Sequence, residues 1–317
     1  MKFCVIGPGA VGCLFGGYLA QAGFETVLLD HLPERAKMIG DRGIIVEGIR
    51  GGFQVPVKAV LQPEDAGTPD VVLVCVKAYD TAGAALSARK LVREGTLVVT
   101  LQNGLGNVEE LSKALKGAGT IVAGTTTQGA TSKGEGHVRH AGEGDTILGV
   151  VESAGEAGRS VANLEELVRC FEKAGFPTRT AENIHDIIWS KLIVNVGINA
   201  LTAISRLKNG ELVRWSGAER LMERAVNEAI QVAGALGVRP VFPDPLARVR
   251  KVCELTAGNI SSMLQDVLKR KKTEIAFING AIVREGERCK VATPTNACLT
   301  ELVLTIQETY DRQLFSM

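Results

Sequence analysis

The stretch KFCVIGPGAVGCLFGGYLAQAG, residues 2–23, decides the fold. Its apolar start predicts a strand, and the loop that follows is Gly7, Pro8, Gly9, Ala10, Val11 and Gly12. A helical segment follows the loop, and this strand–loop–helix context distinguishes a dinucleotide-binding fingerprint from a chance GxGxxG match. Gly7 permits the tight turn, Gly9 lets a pyrophosphate approach the backbone, and Gly12 allows close helix–strand packing. We call residues 7–12 the phosphate loop; the motif by itself also fits FAD proteins.

Short apolar runs alternate with helical segments over the first 125 or so residues. The runs are KFCVIG (2–7), ETVLLD (25–30), DVVLVCVK (70–77), GTLVVTL (95–101) and TIVAGT (120–125). Continuous β-branched runs indicate strands buried on both faces of a parallel sheet, and the alternation indicates βαβ units in a doubly wound sheet. The Gly-rich segment 130–150 predicts a hairpin or antiparallel edge strands, and 152–160 is typical of a surface loop.

Strand patterns end near residue 183. Helical periodicity covers 184–207, 217–236, 244–271 with a continuation through 285, and 295–314. We therefore predict an α/β Rossmann-type dinucleotide-binding domain at 1–182, followed by an all-α substrate and catalytic domain at 183–317.

Composition excludes several classes of protein. A net charge of +1 gives no electrostatic reason to expect nucleic acid or an anionic membrane as a partner. Seven cysteines without CxxC or CxxH spacing fit neither a zinc site nor a disulfide framework. The N-terminus does not read as a signal peptide, and we see no apolar run of the roughly 18–20 residues that a membrane span needs. We expect a reduced, cytoplasmic protein.

Asp30 ends the second strand, about 20 positions after the glycines, and His31 follows it. An acidic residue there accepts hydrogen bonds from the ribose hydroxyls and repels a 2′-phosphate, which favours NADH. Arg35 lies nearby and could reach a 2′-phosphate instead, which favours NADPH. A third interpretation is that Asp30 only caps the helix around 34–39.

Lys77 and Asn103 follow two further strands of the predicted sheet. Ligands of doubly wound sheets bind at the carboxyl ends of the strands, so both residues are candidates for cofactor contact. Asn103, in LQNGLG, could also be only a turn residue.

Three polar residues interrupt the apolar stretch WSKLIVNVGINALTAI, residues 189–204. The four-residue step between Lys191, Asn195 and Asn199 puts them on one stripe of a helix. Burying an unpaired charge or amide costs several kcal/mol, so something must satisfy this polar stripe. An anionic carbonyl substrate would do so, and so would a polar seam between helices.

The segment SSMLQDVLKRKKTEIAFINGAIV, residues 261–283, holds three more polar candidates. Ser262 and Asp266 are four apart and share a helix face. Glu274 has apolar neighbours, so we expect its carboxylate to be partly buried and paired with Lys191.

Over essentially its whole length, the chain resembles the ketopantoate reductases, of the 6-phosphogluconate-dehydrogenase-like superfamily. The resemblance rests on GPGAVG (7–12), VCVKAYD (74–80), LQNGLGN (101–107), GTTTQGA (124–130), WSKLIVNVGINALTAI (189–204), NGEL (209–212) and the block 259–283. It implies reduction of a 2-keto group by a nicotinamide hydride on the route to pantothenate. It also suggests a homodimer by analogy.

The resemblance also implies a role for each matching residue. Lys191 matches the general acid that protonates the ketone oxygen, and Glu274 matches the carboxylate that assists it. Positions that bind substrate or the nicotinamide end are matched by Asn103, Asn195, Asn199, Asn259 and Ser262. Lys77 and the glycines match cofactor contacts. The family commonly uses NADPH and carries an Arg after the second strand, where this chain has Asp30 and His31.

Two other functions stay open from the sequence. A paralogue could reduce another branched 2-keto acid, since pocket residues away from the catalytic set decide the substrate. A catalytically silent nucleotide-binding sensor would need only the N-terminal half, so it does not account for the polar residues of the second half.

Overall fold

The computed structural model describes residues 1–152 and 157–313. The chain divides into two compact units. Unit 1 comprises Met1–Gln102 and Gly106–Ile184, and unit 2 comprises Asn103–Leu105 and the chain from His185 onward.

An eight-stranded sheet forms the centre of unit 1. The strands of the unit are β1 (Phe3–Ile6), β2 (Thr26–Leu29), β3 (Ile44–Gly48), β4 (Phe53–Val55), β5 (Lys58–Val60), β6 (Val71–Val74), β7 (Leu97–Thr100), β8 (Thr120–Thr126), β9 (Gly129–Gly134), β10 (His137–Gly142), β11 (Thr146–Glu152) and β12 (Thr178–Thr180). The order in the eight-stranded sheet is β12-β11-β8-β7-β6-β1-β2-β5. Neighbouring strands of this sheet run parallel, apart from the antiparallel pair β8 and β11. The predicted parallel sheet and the antiparallel strand after it are confirmed.

The helices of unit 1 connect these strands as the alternation predicts. They are α1 (Ala10–Gln21), α2 (Pro33–Arg42), α3 (Thr81–Leu91), α4 (Asn107–Leu115) and α5 (Ala157–Lys173). Because β1 has β2 on one side and β6 on the other, the strand order reverses beside β1. Open α/β sheets bind their ligands at such a switch point. Of the loop predicted at 152–160, residues 153–156 lie outside the described residues, and the helix already begins at Ala157.

A second sheet packs on the other side of α1; the sequence analysis predicted its hairpin of β9 and β10 but not the sheet that this hairpin forms with β3 and β4. It has four strands in the order β4-β3-β10-β9. Two adjacent glycines make room for both sheets: a Cβ on Gly16 would meet Leu28 of β2 at 3.1 Å, and one on Gly17 would meet Val46 of β3 at 3.0 Å. Helix α1 is therefore covered on two faces, which explains its run of buried residues from Gly12 to Leu19.

Unit 2 is helical, and its described residues contain no strand. Its helices are α6 (Ile184–Ser205), α7 (Ser216–Ala235), α8 (Pro245–Leu255), α9 (Ser262–Leu268), α10 (Asn279–Cys289) and α11 (Pro294–Glu308), with short 3₁₀ turns at Asn209–Glu211 and Ile275–Phe277. The α/β domain followed by a helical domain is thus confirmed.

The continuous helix predicted from 244 to 285 is wrong. The chain leaves helical geometry after Leu255 and restarts at α9, where the Ser261 hydroxyl accepts from the amide of Leu264. It breaks again after Leu268, and Arg270 takes a left-handed conformation with φ of 53°. Glu274 therefore lies in an irregular segment and not on a helix face.

Helix α6 also corrects the expectation about apolar runs. It is 22 residues long and contains an 18-residue window with a mean hydropathy of 1.6, so by length and composition alone it could cross a membrane. Of that apolar window, 67% is buried inside the protein, as in the core helix of a soluble protein. Each polar residue interrupts the apolar run in the sequence, whereas the average over 18 residues stays high despite Lys191 and the asparagines.

Candidate active site

The phosphate loop has the geometry that a pyrophosphate needs. Gly7 has φ of 89°, and a Cβ there would lie 2.9 Å from the amide nitrogen of Val76. A Cβ on Gly12 would lie 2.3 Å from the carbonyl oxygen of Gly7, so only glycine lets the helix start this close to the strand. Gly9 is exposed, and apart from its own chain neighbours and the helix backbone no atom of the described residues lies within 4 Å of the place a Cβ would take. Among the described residues, the space in front of Gly9 is therefore open.

Helix α1 begins directly behind this loop. Its N-cap residue is Gly9, and no side chain caps the helix. The first amides of a helix attract anions because they lack intrahelical partners and lie at the positive end of the dipole. The open space at Gly9 and this helix start together fit the phosphates of a dinucleotide.

Asp30, at the end of β2, is held by its own neighbours. Its side chain has no exposed surface, and its two carboxylate oxygens accept from the Nε and an Nη of Arg35, the second at 2.6 Å. The amide of Leu32 donates to the same carboxylate at 3.1 Å. The interpretation of Asp30 as a cap of the next helix is wrong, because α2 has Leu32 as its N-cap residue and no side-chain cap. His31 is exposed, 3.7 Å from the Asp30 carboxylate.

Lys77 follows β6 by three residues, beside a hydrogen-bond network that the sequence analysis did not predict. The side-chain amide nitrogen of Gln102 donates to the backbone carbonyl of Val76 and to the hydroxyl of Thr81, both at 2.8 Å. Its amide oxygen accepts from Thr100 at 2.9 Å. Gln102 thus ties together the chain at the carboxyl ends of β6 and β7. A glutamine that ends an apolar strand is the signal in the sequence that could have identified it.

Asn103 comes directly after Gln102, and the segment Asn103–Leu105 belongs to unit 2. The amide of Leu105 donates to the carbonyl of Phe277 at 3.0 Å. Gly104 has φ of 84°, and a Cβ there would lie 2.4 Å from the same carbonyl. The glycine therefore lets the segment lie against the turn that follows Glu274.

The polar stripe lies on α6 as the spacing predicts, with Asn199 buried and Lys191 and Asn195 partly buried. Two contacts fix this helix in unit 2. The hydroxyl of Thr202 lies 2.7 Å from that of Ser261 at the start of α9. The side-chain amide of Asn279 donates to the carbonyl of Val196 at 3.3 Å.

Lys191 and Glu274 are close enough to influence each other electrostatically. Burial lowers the pKa of the Lys191 ammonium to about 8, and the Glu274 carboxylate opposes that shift. Glu274 is only 6% exposed. The pair therefore combines a buried carboxylate with an amine that is protonated at neutral pH and more acidic than an ordinary lysine.

The remaining candidates differ in their surroundings. Ser262 is the first residue of α9 and is exposed, whereas Asp266 on the same helix is buried. Burial, followed by the charge of Asp266, raises the pKa of Tyr310. Asn259 is exposed, and its carbonyl accepts from the amide of Asn209 at 3.0 Å. His185 accepts a hydrogen bond from the indole of Trp189 at 3.1 Å, as a structural histidine would.

Both parts of the chain match models of one known protein family. Residues 3–153 match the family model described as ketopantoate reductase PanE/ApbA, and residues 183–307 match the model of its C-terminal part. The chain belongs to the ketopantoate reductase family. It is therefore an oxidoreductase of an NAD(P)H-dependent family of 2-keto acid reductases.

Individual relatives span nearly the whole chain. The 2-dehydropantoate 2-reductase of Halobacterium salinarum is 38% identical over 310 residues, covering 97% of this chain and 99% of the relative. A PanE/ApbA family ketopantoate reductase from Ralstonia eutropha JMP134 has a TM-score of 0.88 at 35% identity, covering 98% and 100% of the two chains. D-mandelate dehydrogenase, solved with NADH and anilino(oxo)acetate, has a TM-score of 0.90 at 30% identity with the same coverage.

Proposed function

We propose that this protein is a 2-dehydropantoate 2-reductase, which reduces the 2-keto group of ketopantoate to give pantoate. The juxtaposition of Lys191 with the buried carboxylate of Glu274 carries the proposal, within a chain whose curated relatives are named for this reaction. When bound, the nicotinamide dinucleotide supplies the hydride.

Lys191 is the proposed general acid. Hydride addition builds negative charge on the ketone oxygen, so a nearby ammonium stabilises the transition state and then gives up its proton. A pKa of about 8 suits this role, because the amine is mostly protonated at pH 7 and yields its proton more readily than a solvated lysine. Glu274 opposes the effect of burial and so keeps the ammonium charged.

The amides of the polar stripe are the proposed substrate contacts, together with Asn103, Asn259 and Ser262. Neutral amides and a hydroxyl can donate to a carboxylate and accept from the substrate hydroxyl. The proposed cofactor contacts are the phosphate loop, Lys77 and the Asp30–His31 end of β2, with Asn103 serving the nicotinamide end as well.

For the cofactor, we propose NADH over the NADPH that the family commonly uses. Support comes from structural relatives at 29–30% identity that were solved with NADH, and from the negative charge of Asp30 at the end of β2, although its carboxylate is buried and held by Arg35 and so does not face a ribose directly. Arg35, the alternative contact for a 2′-phosphate, has both oxygens of Asp30 as partners.

A second candidate function is reduction of an aryl 2-keto acid. The observation in its favour is the similarity to D-mandelate dehydrogenase along 98% of this chain. Both candidate reactions would use Lys191 as the general acid. Their substrates differ in the group attached to the ketone carbon, which is branched aliphatic in ketopantoate and aromatic in an aryl 2-keto acid.

A steady-state assay with NADH and NADPH separates these candidates. The substrates are ketopantoate, 2-ketoisovalerate and phenylglyoxylate, the keto acid of mandelate. We expect the highest kcat/KM for ketopantoate with NADH. A higher value for phenylglyoxylate would favour the second candidate, and turnover of none of them despite NADH binding would favour a nucleotide sensor. Cytoplasmic location and a homodimer remain predictions.

A further inference from the structure

Three charged side chains of unit 1 meet beside the phosphate loop. Asp30 and Arg35 form the two-pronged ion pair described above, and the carboxylate of Glu135 lies 3.5 Å from the Nε of Arg35. Glu135 sits in the turn between β9 and β10, in the second sheet. We call these three residues the clamp.

The clamp lies where the adenosine ribose of a bound dinucleotide is expected. The amide of Gly7 donates to the carbonyl of Leu29, the residue before Asp30, at 3.0 Å. Cys13, in the first turns of α1, donates to the carbonyl of Pro8. Burial raises the pKa of its thiol, and the charges of the three clamp residues have smaller effects on the same pKa. The end of β2 and the phosphate loop are therefore neighbours, as in dinucleotide-binding sheets.

Burial differs sharply along the clamp. The side chain of Asp30 has no exposed surface, that of Arg35 is 19% exposed and that of Glu135 is 50% exposed. A ligand that approaches the clamp from solvent therefore contacts the side chains of Arg35 and Glu135 before that of Asp30. Both carboxylates raise the pKa of Arg35, so the guanidinium stays charged and the three residues together carry one net negative charge.

We propose that Glu135 is a specificity residue for the cofactor: it holds Arg35 on Asp30 and repels a 2′-phosphate, so that the clamp favours NADH over NADPH. This inference rests on the proposed function and assigns part of its cofactor choice to the second sheet. A 2′-phosphate could recruit Arg35 only by leaving the buried Asp30 carboxylate without its main partner, which is strongly unfavourable. It would also approach the exposed carboxylate of Glu135. A 2′-hydroxyl is neutral and can donate to a carboxylate.

The test is a fluorescence titration of NADH and NADPH against the full chain, without any keto acid. We expect the wild type to bind NADH more tightly. Glu135→Gln should tighten NADPH binding by about fivefold, the weight of an exposed charge pair, and leave the Kd of NADH within about twofold. Glu135→Lys should tighten NADPH binding further. Because Glu135 is exposed, its effect should shrink at high salt.

Two further variants make the result specific to the clamp. Glu143→Gln is the matched control, since Glu143 is 54% exposed and pairs with Arg50, whose side chain is 25% exposed. It should change neither Kd. In an Arg35→Ala background, Glu135→Gln should lose part of its effect, because Glu135 acts in part through Arg35.

An unchanged ratio of the two Kd values in both Glu135 variants would overturn the proposal, and so would tighter binding of NADPH by the wild type. Because no keto acid is present, this outcome is independent of the substrate. If the Glu135 variants change the ratio of the two Kd values but the protein does not reduce ketopantoate, the role of Glu135 in cofactor choice is supported and the proposed substrate is wrong.

Discussion

The phosphate loop and the polar stripe differ in the groups that supply their chemistry: backbone amides in the loop and side chains in the stripe. The loop consists of six consecutive residues, and its chemistry comes from backbone amides and from the absence of side chains at Gly7, Gly9 and Gly12. The stripe consists of long polar side chains on an otherwise buried helix, and its charge depends on Glu274, far along the chain. The first region is local and fixed by sterics, whereas the second exists only when unit 2 has folded. Substitutions should therefore act differently in the two regions.

The largest effect should follow from removing the proposed general acid. Lys191→Ala should lower kcat by about 10²–10⁴-fold, the usual weight of general acid catalysis, while the Kd of NADH stays nearly unchanged. Steady-state kinetics and an NADH titration measure the two quantities. Lys251→Ala is the control, because Lys251 lies in the same unit and its side chain is 59% exposed. A Lys191→Ala variant with near-normal kcat would remove Lys191 from that role.

The pH dependence tests the pairing of Lys191 with Glu274. Reduction needs the protonated amine, so kcat/KM should be constant well below pH 8 and fall by about tenfold per pH unit above it. Oxidation of the product alcohol needs the neutral amine and should show the opposite slope. Glu274→Gln removes the charge that opposes burial, so the fall should move to lower pH. Glu254→Gln, at the exposed partner of Lys251, should leave the profile in place.

An intermediate effect is expected in the phosphate loop. Gly9→Ala adds a methyl group where the protein has open space, so the Kd of NADH should rise by about tenfold or more without loss of stability. Gly12→Ala pushes a methyl group against the Gly7 carbonyl and should lower both stability and affinity. Thermal unfolding and an NADH titration separate the two outcomes. Gly217→Ala, in α7 of unit 2, where none of the described residues outside its own helix lies within 4 Å of an added Cβ, should leave the affinity unchanged and should not lower stability.

The smallest effect concerns Gln102. Gln102→Ala removes the three hydrogen bonds that tie together the ends of β6 and β7, so the free energy of unfolding should fall by about 1–3 kcal/mol. The KM for NADH should rise a few-fold because the chain around Lys77 is held less firmly. Urea unfolding and steady-state kinetics measure both. Gln54→Ala, which breaks one exposed hydrogen bond to Arg42, should be nearly neutral. An equal loss in both variants would make Gln102 an ordinary surface residue.

The comparison also explains what could be predicted from the sequence. The phosphate loop and the strands around it follow from patterns within a few residues, and so do the helices α6, α7 and α11. Within the second sheet, the hairpin of β9 and β10 lies in the segment where the sequence predicts one, but the four-stranded sheet escaped prediction because β10 pairs with β3, from a distant part of the chain. Periodicity missed the break near Arg270, because apolar spacing continues through it while the backbone turns left-handed.

The site follows the same division. The spacing of Lys191, Asn195 and Asn199 predicts a shared face without any knowledge of the tertiary fold. By contrast, nothing local joins Asp30 to Glu135, which come together only when the turn after β9 approaches α2. Gln102 is an intermediate case, since its place beside Asn103 is visible in the sequence but its three partners are not.

The segment Asn103–Leu105 has a consequence for dissecting the protein. The chain enters unit 2 at Asn103, leaves it after Leu105 and returns at His185. A truncation before His185 would therefore strip this segment of Phe277, whose carbonyl accepts from the amide of Leu105 and packs against Gly104. Separate expression of the two halves is best attempted with residues 103–105 replaced by a flexible linker, or by complementation of two co-expressed fragments.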